Sequence, residues 1–245
     1  MVPFRPTRAG AVMATTRSPQ PPAIGILMLD TRFPRPPGDI GNPETWPFPV
    51  RFARVPGAAA AAAVRGAGKG LLAPFVEAGR GLVAEGCRGI ATSCGFLAPL
   101  QRPLAEALGV PVLASALMQA GAIAATLPPG RRLGVLTIEA ASLSPELLAA
   151  AGVPAGTAVR GMPPGGALAG PILGGGTTLD TGAAEAEVVA AATALAAEPG
   201  VGAILLECTN LPPYARAAAE ATGLPVHSIV TALTWFAAGL APPRW

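Results

Sequence analysis

The chain has 245 residues, 13% of them charged, and 17 Lys and Arg against 14 Asp and Glu leave a net charge of +3. Mean hydropathy is +0.50, yet Pro and Gly interrupt every apolar run before membrane-spanning length, and no basic run interleaves with aromatics; both a membrane span and a nucleic-acid partner are therefore disfavoured. Three cysteines (Cys87, Cys94, Cys208) and one histidine, with no Cys-x-x-Cys spacing, make a poor metal set and no disulfide framework.

In chain order, residues 1–22 carry Arg5, Arg8, Arg17 and several prolines but no acid, and read as a disordered tail, with Met13 as an alternative start. No secretory signal is recognisable there, which with the odd cysteine count points to a reducing, cytoplasmic setting. Ala23 to Leu29 is an apolar run of the kind that forms a buried parallel strand, and Asp30 stands at its C-terminal tip. Six prolines between Thr31 and Pro49 exclude helix and central strand. A long stiffened loop leaving a strand end reads as a lid, with Asp39 and Asn42 as its polar contacts.

A second strand is expected over Val50 to Val55 and a helix over Lys69 to Glu85. Gly66 to Gly70 between them lacks phosphate-loop spacing, because Ala63 stands where the first glycine is required and Gly70 replaces the Ser or Thr that reaches magnesium. Gly89 to Thr92 is the next strand, closed by Ser93-Cys94-Gly95-Phe96. Leu97 to Leu108 reads as a helix, Val110 to Leu113 as a strand, and Ser115 to Thr126 as a helix. Arg132 to Thr137 opens a fresh strand after Pro128-Pro129-Gly130. Ser144-Pro145-Glu146 caps a helix. Gly152 to Thr178, including the Gly174-Gly175-Gly176 loop, carries no readable period. Ala183 to Ala197 is the clearest helix and feeds the strand Ala203 to Leu206, closed by Glu207-Cys208-Thr209-Asn210. A helix through Glu220 follows, and Gly223-Leu224-Pro225-Val226 echoes Gly109-Val110-Pro111-Val112.

Two apolar runs thus stop at a cysteine, each followed by a helix and a Gly-x-Pro-Val strand. Strand C-terminal ends are where open α/β sheets bind ligands, and helix N-termini favour a thiolate there. The duplicated plan predicts two similar α/β lobes of parallel sheet in a pseudo-twofold arrangement, with a thiol from each at a shared cleft. Cys87 precedes its strand and reads as a small buried hydrophobe.

This pattern resembles the aspartate/glutamate racemase superfamily of cofactor-independent amino-acid and hydantoin racemases, maleate isomerases and arylmalonate decarboxylases. The resemblance runs from about Ile24 to Trp235 and rests most on Glu207-Cys208-Thr209, similar to the second-cysteine motif of aspartate racemase-like members. Cys94-Gly95-Phe96 departs from the usual Cys-Asn-Thr, and Asn210 stands where glutamate racemases have histidine. The resemblance implies a first lobe of 23–118 plus 220–245 and a second of 119–219. It implies Cys94 and Cys208 as catalytic thiols, with Asp30 as counterpart of the aspartate beside the first cysteine. It implies no cofactor, a small-molecule substrate, and suits a homodimer.

Two facing thiols fit proton transfer at a carbon acid, one removing a proton and the other delivering one to the opposite face. Ser93, Gly95, Phe96, Thr137, Thr209 and Asn210 are the expected substrate contacts, with hydroxyls, amides and an apolar wall to hold a carboxylate and the carbanion formed next to it. A racemase or isomerase of a small carboxylate or hydantoin-like acid is the reading that follows. Maleate isomerase-like or arylmalonate decarboxylase-like chemistry, and a binding protein on the same fold, are the alternatives.

Overall fold

The structure is a computed structural model that describes residues 24–242; the expected tail over 1–22 and the alternative start at Met13 lie outside them. Two four-stranded parallel sheets form the frame. In the first, β1 (Ile24–Met28) and β3 (Gly89–Thr92) are central, flanked by β2 (Val50–Arg54) and β4 (Val112–Leu113), in the order β2-β1-β3-β4. The second repeats that order with β5 (Arg132–Thr137), β6 (Ala158–Gly161), β7 (Val201–Leu206) and β8 (Val226–His227) as β6-β5-β7-β8. The expected two-lobe α/β architecture is therefore the observed one.

The central strands are nearly continuous apolar runs because helices cover both faces of each sheet. Every residue of β1 and β3 is buried, whereas no residue of the edge strand β2 is. The helices are α1 (Ala60–Arg65), α2 (Leu72–Ala84), α3 (Gln101–Leu108), α4 (Ala120–Thr126), α5 (Pro145–Ala150), α6 (Ala169–Gly174), α7 (Thr181–Ala196), α8 (Ala215–Thr222) and α9 (Ile229–Leu240). Ser144 caps α5 by accepting from the Leu147 amide, and Asp180 caps α7 by accepting from Ala183. The expected helices over Leu97–Leu108 and Ser115–Thr126 each open instead as a 3-10 turn before becoming α3 and α4.

The lobes exchange their last helices. Helix α4 leaves β4 and packs on β5 of the other sheet, and α9 leaves β8 and lays Phe236 and Leu240 over Gly89 of β3. This corrects the expected lobe boundary at 220. Because β8 pairs with β7, the chain stays in the second lobe through His227, and the crossing begins at Ser228, which forms a capping box with Thr231 at the start of α9. Gln119 fastens that crossing by donating to the Ser228 carbonyl (2.8 Å) and accepting from the Thr231 hydroxyl (2.9 Å). Among the described residues no helix is long and apolar enough to cross a membrane.

Candidate active site

β3 and β7 occupy the same place in their sheets, third in each order, and the residues after their C-terminal ends meet at one cavity. Its wall includes Ser93, Cys94, Gly95 and Phe96 from one lobe and Cys208, Thr209 and Asn210 from the other. Cys87 lies elsewhere, buried ahead of β3. The cavity measures about 20 Å³, a volume comparable with a single water molecule. A substrate of several heavy atoms enters only if the walls move.

The site is held by hydrogen bonds within and between the lobes. The Thr209 hydroxyl donates to the Ser93 carbonyl at 2.7 Å, and the Leu29 amide donates to Ser93 Oγ at 2.9 Å. Cys208 donates its thiol to Asn210 Oδ1 (3.5 Å), whose Nδ2 in turn donates to Asp39 Oδ2 (2.7 Å). Burial is the first cause raising the pKa of both thiols, and the neighbouring Glu207 raises them further. Amides of Phe96 and Leu97 pull Cys94 down and that of Asn210 pulls Cys208 down, but less strongly. At neutral pH the unliganded cleft therefore holds two neutral thiols.

Segment 31–49 closes over the cleft through Thr31, Phe33 and Arg35, all in its wall. Asp39 is buried and serves as its clamp. Its Oδ1 accepts from Arg35 (2.7 Å) and the Gly41 amide (2.8 Å), while Oδ2 takes Asn210. The Ile40 amide reaches the Thr209 carbonyl (3.3 Å). Gly38, at φ +99°, brings the backbone so near Pro213 that an added Cβ would stand 2.8 Å from its Cα. Asp39 thus acts on the site through Asn210.

Four expected site residues fall outside the cavity wall: Asp39, which reaches it only through Asn210, and Asp30, Asn42 and Thr137. Asp30 turns away: its Oδ2 accepts from the Gly57 amide (3.1 Å) and Oδ1 lies 3.8 Å from Arg54, the local turn bonding that aspartate readily makes. Asn42 caps the 3-10 turn Pro43–Thr45 through Oδ1 and donates from Nδ2 to the Arg35 carbonyl, so it is spent inside the loop. Thr137 is wholly buried and donates to Glu207 Oε2 at 2.7 Å. Its hydroxyl serves Glu207.

Sequence reasoning used Glu207 only as part of a motif. It is fully buried, lies in the cavity wall, and its Oε1 has no hydrogen-bond partner. Burial pushes its pKa up to about 7 against the opposing pull of Thr137. The available signal was an acid directly abutting an apolar strand, a position charged groups rarely occupy unless paired or functional. Ile138 and Ile172 complete an apolar wall; the latter belongs to α6, inside the segment that gave no readable period. Among the described residues no group of three or more His, Cys, Asp or Glu is arranged to hold a metal ion.

The chain has a fold similar to those of arylmalonate decarboxylase and of glutamate and allantoin racemases. Arylmalonate decarboxylase superposes with a TM-score of 0.56 at 19% identity, covering 90% of this chain and 94% of that one. Glutamate racemase from Bacillus anthracis gives 0.56 at 16% identity (88% and 81%), and allantoin racemase from Pseudomonas fluorescens 0.56 at 19% (89% and 90%). In sequence the chain is similar to dimethylsulfoniopropionate lyase 5 of Emiliania huxleyi strain CCMP1516, 36% identical over 155 residues, and to dimethylsulfoniopropionate lyase of Durusdinium sp. clade D, 27% identical over 220. The matched stretches span 60% and 85% of this chain but 31% and 72% of those relatives. No family model matches.

Proposed function

We propose that this protein is a cofactor-independent carbon-acid enzyme of the racemase/isomerase type, with Cys94 and Cys208 exchanging a proton at the carbon next to a carboxylate. The observation that carries the reading is a thiol from the equivalent strand end of each lobe in the wall of one cavity. One sulfur takes the proton, the carbon holds the electron pair, and the other thiol returns a proton to the opposite face. Net charge and composition are unchanged; only the configuration inverts. Closure by segment 31–49 removes water, which strengthens every interaction with the developing charge. Loss of one thiol proton belongs to the chemical step that follows binding, because both thiols are neutral in the unliganded cleft.

A second outcome of the same first step is favoured by the sequence relatives, which are lyases by name. If the substrate bears a dialkylsulfonium on the next carbon, the carbanion's pair forms the C=C bond as the C–S bond breaks. The sulfide then leaves with the bonding pair as a neutral molecule, and an unsaturated acid remains. The wall offers such a group the ring of Phe96, and aromatic faces attract cations; the Phe33 ring already carries the Arg35 guanidinium, 4.6 Å from its centroid.

The test is incubation in deuterated water with aspartate, glutamate, a substituted hydantoin, maleate, an arylmalonate and dimethylsulfoniopropionate, followed by NMR and chiral chromatography. Deuterium at the stereocentre with interconversion of enantiomers supports the racemase. Release of dimethyl sulfide and acrylate supports elimination. Binding without exchange, elimination or turnover sinks both readings.

A further inference from the structure

Among the described residues the carboxyl of Glu207 is the one buried acid in the cavity wall, and its surroundings dictate how it works. It sits at the end of β7 with Oε2 fixed by the Thr137 hydroxyl and Oε1 without a partner. Oε1 lies against Gly95, the residue after Cys94. A Cβ built there would come within 2.1 Å of Oε1 and 2.7 Å of the Glu207 carbonyl oxygen, so only glycine admits the carboxyl to this place. The altered first motif, with Gly95 in the position where asparagine is usual, thus makes room for an acid from the opposite lobe. Leaving a buried oxygen unsatisfied is costly, and such an atom in a cavity wall is explained when a ligand completes it.

Resting on the carbon-acid reading above, we propose that Glu207 is the receptor for the substrate carboxylate and works as a neutral acid, its Oε1–H donating to a carboxylate oxygen. A protonated carboxyl opposite a carboxylate makes one short charge-assisted hydrogen bond, whereas two ionised carboxylates in that space repel each other. The facing groups leave Glu207 the role. Arg35 spends two nitrogens on Asp39 and Thr31, and Asp39 neutralises its charge. The other titratable neighbours, Cys94 and Cys208, are neutral thiols. Burial keeps the Glu207 carboxyl near half-protonation at neutral pH, so the acid form is available without a large penalty. The consequence is linkage: above about pH 7 each bound carboxylate brings one proton with it, and below that it brings none.

The experiment is calorimetric titration of the full chain with propionate, which has an α-carbon and a carboxylate but no leaving group, at pH 6 and pH 8 in buffers of differing ionisation enthalpy. Alongside it, a carbon-13 titration of glutamate-labelled protein identifies Glu207 by its loss in Glu207→Gln. The expected result is a side-chain carboxyl titrating near neutrality, close to one proton taken up at pH 8 and little at pH 6. Affinity should fall about tenfold per pH unit above 7. Glu207→Gln should keep binding but lose both proton uptake and pH dependence, which a merely structural role would not do. Titration of Glu207 in the ordinary carboxylate range overturns the proposal. So does no binding of propionate at pH 6, no uptake at pH 8, or pH dependence that survives in Glu207→Gln. None of these readouts involves turnover, so a failure of the two-thiol reaction leaves them standing, and their failure leaves the thiol chemistry to its own test.

Discussion

At the scale of single residues the site turns on three buried groups, Glu207, Cys94 and Cys208, all held toward their neutral forms. Glu207 raises both thiols, and burial raises all three. Because its folded pKa of about 7 exceeds that of an exposed glutamate, the folded state holds the Glu207 proton more tightly than the unfolded chain does. Its contribution is therefore fully present below about pH 4.5 and is lost as pH rises to about 7. The span corresponds to about 3 kcal/mol. Urea unfolding of wild type and Glu207→Gln at pH 5 and pH 8 checks this: the glutamine variant should gain relative stability at pH 8, and a parallel response in both proteins refutes it. Gly95→Ala should displace the carboxyl at a cost of about 1–3 kcal/mol. It should also abolish the pH dependence of propionate binding, measured by the same calorimetry. Thr137→Val removes the bond that holds the Glu207 pKa down, so the midpoint of the carbon-13 titration should move to higher pH.

At the scale of elements, what was legible followed from period and punctuation. Apolar runs closed by Cys94 and Cys208 read as strands, and β5 begins and ends where expected. Proline spacing marked 31–49 as a loop, and its position at the strand end placed it over the cleft. Which of its side chains enter was not legible. Asp39 and Asn42 looked like ligands but bond inside the protein, while Phe33 and Arg35 form wall; that choice depends on chain reversal at Gly38 and the clamp to Asn210. Strand β6 and helix α6 escaped notice because β6 is a four-residue, half-buried edge and α6 is a single Gly-rich turn and a half containing Pro171. Both owe their existence to packing on β5 and α1, which no local propensity encodes. Asp39→Asn weakens the pairing with Arg35 and forces an amide against Asn210. It should lower kcat/KM by about tenfold or more, corresponding to ~1.4 kcal/mol or more at a buried charged hydrogen bond, while circular dichroism stays native. Unchanged kinetics would reduce segment 31–49 to a surface excursion.

At the scale of the molecule, duplication is the organising fact. Two sheets of identical strand order each present the residues after their third strand to a common cavity, and helices α4 and α9 lock the halves by packing on the opposite sheet. The cavity holds little more than one water, and beside a neighbouring pocket Arg65 of α1 pairs with Glu139 after β5 at 3.0 Å, tying one lobe to the other. Turnover therefore requires the lobes or segment 31–49 to open and reclose. The central claim is that both thiols act on one carbon from opposite sides. Its most direct measurement is deuterium incorporation and configuration followed together, for each single enantiomer of the active substrate, in wild type, Cys94→Ser and Cys208→Ser. The account predicts that either substitution abolishes interconversion, and that any residual exchange in a variant is confined to the one enantiomer whose proton faces the surviving thiol. Racemisation at the wild-type rate in either variant would contradict it.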